Sequence, residues 1–133
     1  MAQQDAPVIL KVGLIIAMII LAIYGLLMFL IPAQYVALIG ANPIENSWLR
    51  WAGGVLIALA VGAWMMLRSP ANQGGLFKTL NLGFLLAGLA LAYSWAAGEY
   101  SAPTISVAFP AILNLVVAVL LFLGWRSAKD LLR

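Results

Sequence analysis

Four stretches of this chain, residues 12–31, 52–67, 80–97 and 105–124, carry no charged side chain. The first is 20 residues long. At ~1.5 Å rise per residue, a helix of that length crosses the ~30 Å hydrocarbon layer of a bilayer. Inside that layer no water can satisfy backbone N–H and C=O groups, so such a run must bond to itself as a helix. Composition points the same way. The 133 residues are 65% hydrophobic and only 8% charged, whereas soluble domains carry about 25% charged residues. The chain lacks the polar surface to cover itself in water. The expectation is one all-α membrane domain over residues 1–133, with spans at about 12–31, 48–67, 80–97 and 105–124 and an interfacial tail at 125–133.

The second span has the most instructive approach. Asn42 suits a helix N-cap, Pro43 the first helical position, and Glu45 stands three residues after the cap. The carboxylate also favours the positive end of the helix dipole. On that reading Arg50 lies two turns in, with Asn46 one turn before it on the same face. Trp48 and Trp51 flank the arginine as interfacial aromatics. Behind it Gly54, Ala58 and Gly62 recur every four residues, a small-residue stripe that lets another helix come close. Arg68, Ser69 and Pro70 end the span.

The remaining punctuation is short. Residues 1–7 are polar and expected to fray. The rival reading of the first run, a cleaved signal peptide, calls for a shorter apolar core and a small-residue cleavage site; this run ends at Ile31-Pro32, which favours a retained span. Residues 32–41 are moderately apolar and belong at headgroup level. Residues 68–79, with Ser69-Pro70 and Gly74-Gly75, read as a turn. The third run is rich in glycine and alanine, and the fourth holds Pro110 about one turn in, where it starts or kinks a helix. Arg126, Lys129 and Arg133 share one face of the tail, which reads as a helix on a charged lipid surface.

Four spans place both termini on one side. That side has Lys11, Arg68, Lys78, Arg126, Lys129 and Arg133; the other has Arg50 alone. Six against one is a positive-inside signal, so both termini are expected in the cytoplasm, and the short connections favour an up-down-up-down bundle. The expected location is a bacterial cytoplasmic (inner) membrane. The basic residues, spread between spans, do not form a nucleic-acid patch.

The chain has no cysteine and no histidine. That removes disulfides, thiolate metal sites, histidine haem ligands and histidine acid–base chemistry. Neither a metal nor a cofactor is expected, and no catalytic residue stands out. Two groups remain as candidate sites. Arg50 and Glu99 lie at the start of the second span and the end of the third, with Glu45 as a competing partner and Asn46 nearby. They form either a cavity for an anionic or quinone-like headgroup or an ion pair tying two helices. Asn81, Asn114, Tyr24 and Tyr93 are polar groups within spans, which either line a path or bond across helices. The five tryptophans read as aromatic belts, Trp48, Trp51 and Trp95 at one interface and Trp64 and Trp125 at the other. Met65-Met66 has no cysteine or histidine beside it to make a copper site.

The layout of four short spans, with Asn42-Pro43 leading to Arg50 and then Gly53-Gly54, resembles the DoxX-like group of small bacterial four-helix membrane proteins. The resemblance implies a four-helix fold and, for some members, service as subunits of quinone-linked membrane oxidoreductases. Small multidrug-resistance transporters share the span count but carry a membrane-embedded glutamate in their first helix; residues 12–31 contain no acid. Three functions follow as expectations. The first is a non-enzymatic accessory or scaffold subunit that works by helix contact, within a larger assembly or a homo-oligomer. The second is a DoxX-like component of a quinone-linked redox system. The third is a small oligomeric carrier with a path lined by Asn81, Asn114 and Tyr24.

Overall fold

The computed structural model describes residues 6–133 and is all-α. Four long helices, α1 (Val8–Leu30), α3 (Asn46–Arg68), α4 (Gly74–Ala97) and α5 (Ile105–Ala128), are each long and apolar enough to cross a membrane. A short helix, α2 (Pro32–Leu38), follows α1. Most of the polar lead segment lies outside the described residues.

Among the described residues no polar or charged residue is buried as a whole, while many large apolar ones are exposed, among them Ile19, Ile23, Leu86, Leu89, Ile112 and Val119. A helix apolar on all sides belongs in a core or in lipid. These helices have both surroundings: one face packed on neighbours, the rest presenting hydrocarbon outward. The chain is a small all-α membrane protein.

The bundle is laid out as α3–α1–α5–α4. Helix α1 packs on α3 and α5, and α5 on α1 and α4, while α3 and α4 touch only sparsely. Consecutive spans were expected to be neighbours throughout; α3 and α4 make only sparse contact, as where Leu76 lies beside Gly62. The reason is where bare backbone is available. Gly25 of α1 faces Gly53 and Ile57 of α3, Gly124 of α5 faces Leu10 of α1, and Gly88 of α4 faces Leu115 of α5. Close approach at these points gives the dispersion contacts that drive helix association in lipid. The stripe at Gly54, Ala58 and Gly62 does not make the closest contact. Ala58 is exposed, and the atoms nearest to Gly54 and Gly62 stand at ordinary van der Waals distance. The core runs through Leu10, Leu14 and Ala17 of α1, Ala63 and Met66 of α3, Phe77 and Leu80 of α4, and Val117 and Leu121 of α5.

Several boundaries differ from the sequence expectation. Helix α3 begins at Asn46, not at Asn42, so Arg50 lies one turn in rather than two. Residues 41–45 run outside any helix, and Glu45 occupies the N-cap without a side-chain capping bond. In this segment the Asn42 backbone N–H donates to Ser101 Oγ at 2.9 Å. Helix α4 begins at Gly74, so Gly74-Gly75 is a helix start rather than a turn. The tail does not simply lie on the surface. Helix α5 runs on to Ala128, and the chain then folds back so that Leu132 is 2% exposed. There Leu131 and Leu132 accept the N–H groups of Asn72 (3.3 Å) and Gly74 (2.7 Å). The Gly74 N–H is one of the donors that a helix start leaves open.

Candidate functional site

Arg50 sits on the first turn of α3, beside the last turn of α1. Helix α1 stops there because Pro32 has no N–H to give the Met28 carbonyl. The chain breaks at Ile31 and restarts as α2, which leaves carbonyls of the last α1 turn short of donors. Arg50 supplies one: its Nη1 donates to the Phe29 carbonyl at 2.6 Å. A guanidinium at the negative end of a helix is also favoured by the dipole. Gly53, one turn further along α3, makes the approach possible. A Cβ there would stand 2.6 Å from the Phe29 nitrogen and 2.7 Å from the Gly25 oxygen. Arg50 thus ties α3 to α1, through a backbone carbonyl rather than a carboxylate.

The acidic partners stand apart. Among the described residues the ion pair present is Asp130–Arg133, at 3.4 Å within the tail, and neither Glu45 nor Glu99 reaches Arg50 in a salt bridge. Glu99 follows Gly98, whose φ of +69° closes α4 in a left-handed turn. The Glu99 N–H returns to the Ser94 carbonyl at 2.9 Å. Asn46 lines a groove of about 320 Å³ with Val36, Ala37 and Pro43 at the mouth of α3. Trp48 and Trp51 meet edge to face at 6.4 Å, both well exposed beside Arg50, which uses one of its five donors.

Sequence reading missed the connection between the two loops at this end. Besides Asn42 to Ser101, Ser106 Oγ donates to the Ile39 carbonyl at 3.0 Å. Gly40, at φ +69°, lies where a Cβ would meet Pro103 at 2.9 Å. The α2 segment is therefore pinned to the α4–α5 loop. The Ile31-Pro32 break was the readable signal of orphan carbonyls nearby; the partners 59 and 67 residues away left no local trace.

The polar residues within spans do not converge. Asn114 donates to the Pro110 carbonyl of its own helix at 2.7 Å. That carbonyl is four residues back, so the amide is spent locally. It borders a small apolar cavity of about 90 Å³ with Leu21, Leu59, Phe84 and Ala87. Asn81 lines a different cavity on the α4–α5 surface with Phe77 and Phe122. Tyr24 meets Tyr35 of α2 edge to face at 6.3 Å, and Tyr93 is 66% exposed. Burial, with a smaller electrostatic contribution from Tyr24, pushes the Tyr35 phenol above its usual 10.0.

At the opposite end the Arg68 guanidinium lies 5.1 Å from the Trp64 ring centre, and the Lys78 ammonium 5.8 Å from that of Trp125. Among the described residues, no cluster of three or more acidic groups is placed to hold a metal ion. Comparison with protein-family models, with curated proteins and with solved structures gives no match. The fold and composition together identify the chain as a small all-α membrane protein built on four apolar helices.

Proposed function

We propose that the protein is a non-enzymatic accessory or scaffold subunit of a bacterial inner-membrane assembly, acting by helix contact. Residues 1–133 form one up-down-up-down domain with both termini in the cytoplasm, where the basic residues are concentrated. The observation that carries this reading is the open side between α3 and α4. Those helices barely touch, Ala58 is exposed on one wall, and Gly83 on the other has nothing within 4 Å of a would-be Cβ. Small residues on both walls leave room for one more helix to reach the backbone, from another subunit or a second copy. Gentle extraction followed by mass spectrometry tests it. A partner subunit or a homo-oligomer should travel with the native chain and be lost in Gly83→Trp and Ala58→Trp, with helicity unchanged. A native chain that runs as a lone monomer under those conditions refutes it.

A second reading, a DoxX-like component of a quinone-linked redox system, is favoured by one feature. Arg50 is exposed beside Trp48 and Trp51, with donors to spare after binding Phe29. A quinone headgroup carbonyl could accept from them. A ubiquinone analogue that binds the native chain, and binds Arg50→Leu much more weakly, supports this role; equal binding to both overturns it.

A further inference from the structure

A cavity lies at the far end from Arg50, between the start of α4 and the folded-back tail. It measures about 590 Å³, and its walls include Lys78, Lys129, Arg133, Asn72 and Trp125. Three cations thus border one recess, and among the described residues one of them, Arg133, meets a side-chain carboxylate, that of Asp130. Lys129 and Arg133 are both exposed at the rim. The recess is built by the fold rather than by sequence proximity. Lys78 belongs to α4 and the other two cations to the tail, and the tail is held by the bonds of Leu131 and Leu132 to Asn72 and Gly74.

A second cavity, about 320 Å³, adjoins it and shares two of its walls, Lys78 and Trp125. Its other walls are apolar, Phe77, Leu82, Leu85 and Phe122, with one exception, Asn81. Asn81 lies one turn past Lys78, and its side-chain oxygen is buried without a hydrogen-bond partner. A buried acceptor left without a donor costs free energy that a ligand hydroxyl could recover. Leu82 and Leu85 lie at spacings of four and seven from Lys78, on the same face further along α4. Reading along that face, cations give way to one orphan acceptor and then to an apolar groove.

We propose that this composite recess is a site for one anionic phospholipid. Its phosphate lies among Lys78, Lys129 and Arg133, a headgroup or glycerol hydroxyl reaches Asn81, and an acyl chain lies along Leu82, Leu85 and Phe122. Basic pockets beside membrane helices bind lipid headgroups in this manner. A free phosphate would use the cations and leave the groove empty.

Native mass spectrometry of the purified full chain, offered phosphatidylglycerol, phosphatidylcholine or inorganic phosphate in turn, tests the assignment. Phosphatidylglycerol should bind in preference to phosphatidylcholine. Removing two cations by Lys78→Gln with Lys129→Gln should weaken it about thirtyfold, whereas Arg126→Gln, outside the recess, should leave it unchanged. Leu85→Trp, which fills the groove but spares the cations, should also weaken phosphatidylglycerol. Thermal melts of each variant confirm that the fold persists. Equal binding of the two lipids, or equal losses in Arg126→Gln and the lysine pair, overturns the site. Inorganic phosphate competing at the same concentration as the lipid, with Leu85→Trp without effect, overturns the lipid as its occupant.

Discussion

Gly53→Ala adds a single methyl group at the closest crossing of α1 and α3. The new Cβ would stand 2.6 Å from the Phe29 nitrogen, 2.7 Å from the Gly25 oxygen and 3.0 Å from the Phe29 Cβ. Two of the three atoms are backbone, so no rotamer change relieves the contact. Restoring ordinary separation requires the helices to part by roughly 0.8 Å, which also loosens the Arg50–Phe29 bond. Overpacking of this kind costs about 1–3 kcal/mol. Because both sides of the contact are rigid, the upper end applies. Alanine recovers about 1 kcal/mol of helix propensity, leaving a net loss of about 2 kcal/mol, near thirtyfold in the folding equilibrium. Reversible unfolding by sodium dodecyl sulfate in mixed micelles, followed by circular dichroism, measures it. Gly54→Ala is the internal control: its nearest neighbours are Phe29 ring atoms at 3.8 Å, so it should be neutral or stabilising by up to about 1 kcal/mol. Equal stabilities for Gly53→Ala and Gly54→Ala would refute the claim that bare backbone at Gly53 sets the α1–α3 distance.

Other substitutions probe the remaining ties. Arg50→Leu should cost about 1 kcal/mol in the same titration through loss of the bond to the Phe29 carbonyl. Glu99→Gln should change stability little, since Glu99 does not pair with Arg50; a larger loss than for Arg50→Leu would restore the ion pair. Leu132→Ala removes a side chain only 2% exposed and should cost about 2–3 kcal/mol, with faster amide exchange at Gly74, whose N–H the Leu132 carbonyl accepts. Tyr35, raised above 10.0 by burial, stays neutral in the folded chain at pH values where the unfolded chain has begun to ionise. Its contribution is complete below pH 10.0 and is lost as pH rises through the folded value. Tyr35→Phe should therefore flatten the alkaline fall in melting temperature, and an unchanged slope would count against the assignment.

The sequence by itself determined the solvent, the class and the number of long apolar helices, though not the short α2. Uncharged runs of about 20 residues in a chain only 8% charged leave helices in lipid as the one arrangement that satisfies the backbone. Pro32 and Pro70 also marked breaks, because a missing N–H is a local fact. The start of α3 was misread for the converse reason. Asn42-Pro43 is locally a good cap, but residues 41–45 run outside any helix, with the Asn42 N–H bonded to Ser101, 59 residues away.

Only the tertiary structure decided which glycines mattered and what Arg50 holds. The regular stripe Gly54–Ala58–Gly62 was visible by its spacing, yet the close contact fell to Gly53, because Gly25 on another helix faces it. Arg50 was found by its charge, but its partner is a carbonyl of Phe29, and a carbonyl is present at every residue and so leaves no mark in a sequence. The cationic recess likewise joins Lys78 to a tail some fifty residues later. Hydropathy is additive along a chain and can be read from it. Which surfaces meet depends on where backbone is bare on two helices at once, and that pairing exists only once the chain has folded.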